Sequence, residues 1–544
     1  YLFNKPNEFI VQIRQIVKNA LPLEAAKKKS FNPPATKKKS LVLEGPNFPH
    51  LFENDFYAIL PELYLTLSTL VLLLFGVFYS TSKKHQSPSM MQTVAWLGLF
   101  CLFCTFCLLQ NLQFSSMTFF YATLIMDPLS FFFKTLVLLG SGFSLFISLQ
   151  YFQAEDFKDF EYTLLLLFST CSMLLLISAS DFISMYLAIE MQSLCLYVLA
   201  ASKRNSEFST EAGLKYFLLG AFSSGILLFG CSILYGLTGL TGFQSFAKLF
   251  SGVGGSLAME TQSFLSVGVL FIAVGFLFKL TAAPFHFWAP DVYEGAPTSV
   301  TAFFSIAPKL AIMAVFLRLF LVGFYDFLFS WQSILIVSSL LSLFIGSFGA
   351  VSQTRVKRLL VYSSIGHMGY LLMGVASGTV EGVQSVLLYL CIYSVMTLNI
   401  FAIVLSLRDE QTGQNVKYIE DMSMLSKSHP LLAFSLTLTM FSMAGIPPLA
   451  GFCSKFYLFF AALSSSLYFL AVFGILSSML SCFYYLRVIK TMYFDQSKQP
   501  FQNVKMDHEK SWVITLTTLF VVFFFLYPNV AFLWTQKVAL LFLG

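Results

Sequence analysis

Five ionisable residues stand inside apolar runs: Glu190 in SMYLAIEMQSLCLYVLA, Lys215 in EAGLKYFLLG, Lys279 in GFLFKLTAAPF, Lys309 in FFSIAPKLAIM and Lys455 in PPLAGFCSKFYLF. A charge at the centre of a lipid-embedded helix costs at least ~2.5 kcal/mol, so such groups mark function by default. One carboxylate and four lysines suit a proton path. Burial disfavours an ammonium and a nearby carboxylate restores it, so a Lys–Glu pair whose separation changes takes up and releases a proton near neutral pH. His286 and His367 are candidate relays because imidazole titrates near neutrality. Ser363, Ser364 and Tyr370 flank His367 and could order water. The blander readings stay open. Lysines can snorkel to the headgroups or form fixed pairs, which suits Lys215, close to a helix end, better than Lys309. A histidine in a membrane helix is often packing held by hydrogen bonds.

Helices must position these groups. The 544 residues are 57% hydrophobic and 11% charged, against about 25% charged in soluble domains, which sets the chain outside the soluble class. A helix needs about 20 apolar residues to cross the hydrocarbon. Fourteen such spans are expected, near 56–80, 91–112, 125–151, 161–179, 181–202, 211–237, 263–289, 297–323, 328–350, 356–377, 382–407, 430–462, 465–492 and 511–540. Glu190 then lies about nine residues into span 5, roughly 14 Å deep. The seventh span meets Pro284 and Pro290, and the overlong twelfth contains Pro447-Pro448. Proline removes a backbone donor, so both are expected to be broken, with freed carbonyls facing protein or water.

The expected fold is thus an all-α membrane protein whose domain covers 56–544. Spans 4–8 (about 161–323) and 9–13 (about 328–492) each carry a broken helix in fourth place. Five is odd, so two such repeats run inverted, and paired interrupted helices point to a transporter's working site. The basic loop residues fall on alternate sides: Lys83, Lys84, Lys203, Arg204, Arg355, Lys357, Arg358, Arg408, Lys417, Lys427, Arg487, Lys490, Lys498, Lys505 and Lys510, against little beyond Lys248. That set is expected to face the cytoplasm or a mitochondrial matrix, with both termini opposite. The N-terminal stretch 1–55 is a polar, basic extension, with nine Lys/Arg including Lys27–Lys29 and Lys37–Lys39 around Pro33-Pro34. Its EFIVQIRQIVKNAL has the apolar spacing of a surface-lying helix. Its placement runs against the charge rule, and Tyr1 in place of Met raises the expectation of a processed N-terminus.

Other chemistries find little footing. Cys101, Cys104 and Cys107 read C-x-x-C-x-x-C, an iron–sulfur spacing, but lie in LGLFCLFCTFCLL, where helix packing is the favoured reading. The Gly-rich SGVGGS lacks the strand context and lysine of a phosphate loop. A net charge of +6 sits mostly in loops with no basic patch, so nucleic acid is not expected as a partner. Asp291 and Glu294 in FWAPDVYEGAPTS are expected at a charged loop surface, in capping or docking roles. No nucleotide, flavin, haem or metal constellation appears.

Four stretches, ASKRNSEFSTEAGLKYFLLGAFSSGILLFG, FKLTAAPFHFWAPDVYEGAPTSV, YSSIGHMGYLLMG and GIPPLAGFCSKFY, resemble the subunit 2 (bacterial subunit N) family of respiratory complex I, NADH:ubiquinone oxidoreductase. The first looks especially similar to plant or algal mitochondrial versions. The resemblance runs from about residue 56 onward and leaves 1–55 uncovered. It implies an antiporter-like, proton-translocating membrane-arm subunit of fourteen helices, in the mitochondrial inner membrane among other membrane-arm and antiporter-like subunits and lipids. By the same resemblance Glu190 matches the span-5 glutamate and Lys279 its lysine partner on the broken helix. Lys309 matches the linking lysine of span 8, Lys455 the terminal lysine of span 12 and Lys215 an additional span-6 lysine. It implies three spans beyond the common animal form, and no long lateral helix after Gly544. Cofactors are expected on partner subunits only: NAD, FMN, iron–sulfur clusters and ubiquinone. Two alternatives remain, a subunit of a stand-alone cation/proton antiporter, which needs no redox partner, and an inert scaffold, which the buried charges disfavour.

Overall fold

Runs this apolar hold their backbone hydrogen bonds within helices, because lipid offers no other partner. A computed structural model of the chain describes residues 55–80, 89–112, 117–154, 160–253, 259–408, 416–495 and 507–543. The N-terminal extension, its expected surface helix, and loop lysines 83, 84, 498 and 505 lie outside the described residues. Among those described, twelve helices are long and apolar enough to cross a membrane. Spans 1–6 are Leu60–Ser80, Ser89–Asn111, Pro128–Ala154, Glu161–Ser178, Phe182–Ala200 and Glu207–Thr238. Span 8 is Thr298–Arg318, continued by a π-turn over Leu319–Gly323. Spans 9, 10, 11 and 13 are Leu328–Val351, Val356–Ala376, Val380–Ser406 and Tyr468–Tyr493.

The two expected breaks are present. Span 7 runs Met259–Lys279, gives way around Pro284, and resumes as the short helix Trp288–Gly295. Span 12 is Pro430–Ala444 followed by Ala450–Ser464, with Pro447 and Pro448 in the gap. Each break takes fourth place in its repeat of five. Span 14 differs from the single helix expected over 511–540: it is His508–Phe523 and Asn529–Leu543, parted just before Asn529 by Pro528, which cannot donate to the helical ladder. A small antiparallel hairpin, Met117–Phe119 with Leu124–Met126, and an amphipathic helix, Phe243–Val253, add to the bundle. The hairpin strand bridges Ala179 through Leu124 at the junction of spans 4 and 5.

Burial shows which helices lie at the centre. Every residue in the apolar window of span 8 is buried, against 33% for span 1. Span 8 packs on spans 3, 4 and 11, so Lys309 sits on the most enclosed helix of the bundle. The outer faces of spans 1, 6 and 13 carry exposed Leu, Phe and Val, as a lipid-facing surface requires. Cys101, Cys104 and Cys107 ride on one uninterrupted helix, span 2, and pass from buried to exposed along it.

Candidate functional site

Lys279 is the last residue of the first half of span 7, and the backbone turns sharply after it, with Thr281 at φ 61°. Its Nζ lies 5.9 Å from the centre of the Tyr197 ring and has no hydrogen-bond partner. Glu190, on span 5, accepts a long bond from the Ser193 hydroxyl at 3.4 Å, and its other carboxylate oxygen is buried without a partner. Among the described residues the two charges form no ion pair within 4.0 Å. The Glu190–Lys279 pair is open.

Lys309 follows Pro308 inside span 8. A proline there cannot donate to the carbonyl four residues earlier, that of Phe304. The Tyr293 hydroxyl donates to that carbonyl instead, at 3.2 Å. The same tyrosine ring lies 5.8 Å from Lys309 Nζ, which is buried without a hydrogen-bond partner. One proline therefore positions the aromatic residue that faces the central lysine.

Lys455 is held differently. The first half of span 12 ends at Gly445, whose φ of 91° is one that residues with a Cβ rarely adopt. A Cβ there would lie 3.1 Å from Lys455 Cδ. The turn leaves the last carbonyls of that half-helix without helical partners, and Lys455 Nζ donates to two of them, Met443 O at 2.8 Å and Ala444 O at 3.0 Å. A cation at a helix C-terminus also meets the negative end of the helix dipole. Nearby, both ring nitrogens of His367 are engaged, by the Tyr389 hydroxyl at 2.5 Å and the Tyr485 hydroxyl at 3.2 Å.

Three small cavities join these groups. The first, about 20 Å³, is lined by Gln192, Ser193, Lys279, Trp288, Tyr293 and Lys309. A second of the same size shares Tyr293 and adds Ser305, Ser363, Ser364, Tyr393 and Thr397. A third, about 10 Å³, shares Ser363 and adds His367, Tyr370, Lys455, Ser477 and Tyr485. A space of ~10–15 Å³ with polar walls is the least that holds a water. Lys279, Lys309, His367 and Lys455 are thus strung along small, largely apolar pockets with polar side chains in their walls, successive pockets sharing Tyr293 and Ser363 and crossing from the first repeat into the second.

The remaining candidates stand apart from this line. His286 is buried in the break of span 7, stacked on Phe287 at 4.7 Å with Nδ1 unpartnered, and lines none of the three cavities. Lys215 has a side chain 41% exposed and pairs with Glu211 at 2.7 Å and Asp291 at 3.0 Å. Asp291 and Glu294 take the docking role expected of them, against Lys215, Arg355 and Arg358, but they sit on the short helix Trp288–Gly295 and not in a loop. Two buried ion pairs escaped the sequence reading. Lys134 of span 3 bonds Glu62 of span 1, both almost fully buried. Arg318, at the end of span 8, bonds Asp127 at 2.7 Å and the carbonyls of Ile177 and Ala179. A lysine inside PLSFFFKTLVLLG meets the same criterion as the other four, so Lys134 was legible; its partner, 72 residues away, was not.

Comparison with known proteins places this arrangement. Residues 179–481, more than half of the chain, match the family model described as NADH:quinone oxidoreductase/Mrp antiporter, TM. The NADH-ubiquinone oxidoreductase chain 2 of Marchantia polymorpha is 53% identical over 90% of this chain and 99% of its own length. The NADH-quinone oxidoreductase subunit N of Paramagnetospirillum magneticum is 44% identical over 87% of this chain and 95% of its own. A chain of respiratory complex I from Thermus thermophilus with bound aureothin superposes with a TM-score of 0.72 at 27% identity, covering 87% of this chain and 98% of that one. With 53% and 44% identity over 90% and 87% of its length, the chain belongs to the NADH:quinone oxidoreductase/Mrp antiporter family, in its chain 2/subunit N branch.

Proposed function

We propose that the chain is an antiporter-like, proton-translocating subunit in the membrane arm of an NADH:ubiquinone oxidoreductase of the mitochondrial inner membrane. The observation that carries the reading is the run of small cavities, sharing Tyr293 and Ser363, from Lys279 through Lys309 to His367 and Lys455. A proton held by Lys279 is stabilised when Glu190 approaches and is released toward Lys309 when Glu190 withdraws. The open Glu190–Lys279 geometry corresponds to the releasing arrangement. Water in the Tyr293 cavities carries the proton onward, and Lys455, on its carbonyl cradle, receives it. Electron transfer takes place on other subunits, which carry NAD, FMN, iron–sulfur clusters and ubiquinone. The lipid-facing spans contact membrane lipids and the neighbouring antiporter-like subunits. The basic loops face the matrix and both termini the intermembrane space.

The stand-alone cation/proton antiporter shares this family, but the long, high-identity matches are to oxidoreductase subunits. The test is to extract the chain in mild detergent and examine its assembly. It should travel with flavin and iron–sulfur absorbance and oxidise NADH with a quinone acceptor. A small assembly exchanging sodium for protons without NADH oxidation would overturn the proposal.

A further inference from the structure

The short helix Trp288–Gly295 has only eight residues, too few to hold itself in isolation. Two sets of contacts fix it. Inward, Trp288 stacks on Tyr216 of span 6, with centroids 4.7 Å apart and planes at 11°, and its indole N–H donates to Phe278 O at 3.2 Å. Tyr293, one turn on, faces Lys309. Both residues line the cavity between Lys279 and Lys309. Outward, Asp291 accepts from Lys215 of span 6 at 3.0 Å and from Arg358 of span 10 at 2.6 Å. Glu294 pairs ionically with Arg358, whose Nε lies 2.7 Å away, and accepts from Arg355, which precedes span 10. Lys357 Nζ donates to Ala296 O at 2.9 Å, just past the helix end.

A single half-exposed ion pair contributes little, but a network of several charges is the exception. Here four cations grip one helix, three of them through its two carboxylates. Span 6 belongs to the first repeat and span 10 to the second, so the grip also ties the two repeats together at the helix between their lysines.

We infer that Lys215, Asp291, Glu294, Arg355 and Arg358 form a clamp that sets where the short helix holds Trp288 and Tyr293, and that Lys215 is a positioning residue rather than a proton carrier. Three further observations agree. The Lys215 ammonium is already paired twice, its side chain is two-fifths exposed, and it lines none of the lysine cavities. The clamp requires a fixed cation at this position, whereas a proton carrier requires one that can become neutral. The inference rests on the proton path proposed above.

Arginine separates the two roles, because guanidinium keeps its charge and hydrogen bonds but does not release its proton at relevant pH. The test reconstitutes the whole assembled oxidoreductase and measures proton uptake per NADH oxidised, with assembly checked on native gels. Lys215→Met should slow pumping severalfold in assembled enzyme, while Lys215→Arg should pump at close to the wild-type rate and stoichiometry. Loss of pumping in assembled Lys215→Arg would overturn the inference, as would wild-type pumping in Lys215→Met. If Lys215→Met fails to assemble, Asp291→Asn, which keeps size and loses the charge, replaces it with the same expectations. A Lys279→Ala control keeps the two readings apart. Wild-type pumping there would sink the proton path itself, whatever the Lys215 variants do.

Discussion

Lys309 is a long cationic side chain on the most enclosed helix of the bundle, 2% exposed, with no hydrogen-bond partner on Nζ. Replacing it with Met tests whether that cost is borne for function. A buried amine left without a partner costs about 1–3 kcal/mol when neutral, and an ion costs several kcal/mol even after relaxation. The compensating attraction to the Tyr293 ring, 5.8 Å away, is worth ~0.5–2 kcal/mol at that range. Methionine has a similar length, no polar hydrogen and adaptable packing. Lys309→Met should therefore leave the chain at least as stable, with a gain of about 1–3 kcal/mol, while proton uptake per NADH collapses. Stability is read inside the assembled complex by maleimide labelling of Cys171, a fully buried thiol of span 4, followed by mass spectrometry as temperature rises. Labelling at lower temperature than in the wild type would mean that Lys309 has a stabilising partner and that the energetic reasoning is wrong. Unchanged pumping would remove Lys309 from the path.

Two further outcomes follow from the same geometry. Lys134→Ala should destabilise the chain by ~3–5 kcal/mol, because it leaves the Glu62 carboxylate buried and uncompensated, whereas the double variant Lys134→Met/Glu62→Leu should recover most of that loss; a double-mutant cycle on assembly yield or thermal labelling checks it, and additive losses would contradict it. His367→Phe should slow pumping while preserving assembly, since the ring's two tyrosine bonds at the third cavity are lost and aromatic bulk is kept; reconstituted pumping at the wild-type rate would assign His367 to packing.

Much of this was legible in the residues themselves. Charges inside apolar runs singled out Glu190, Lys279, Lys309 and Lys455, and the proline pairs located the breaks of spans 7 and 12, because lipid makes both features costly unless the fold uses them. What stayed hidden concerns which side chains meet. Depth along a helix does not give azimuth, so the sequence alone groups Lys215 with the buried lysines although its side chain reaches Asp291 at the bundle's edge. The Glu62–Lys134 and Asp127–Arg318 pairs join residues 72 and 191 positions apart, which no local pattern encodes. Pro528 carried the same signal as Pro284, yet the surrounding phenylalanines read as one continuous span. The role of Tyr293 was least visible, since it depends on a carbonyl freed by Pro308 on a different helix.

The most direct test of the central claim is proton uptake per NADH oxidised in reconstituted, fully assembled Lys279→Ala and Glu190→Gln variants. Loss or severe reduction of pumping in both, with slowed coupled NADH oxidation, is the predicted result. Unchanged stoichiometry and rate in the assembled variants would mean that these charges are structural and that the lysine line does not carry the proton.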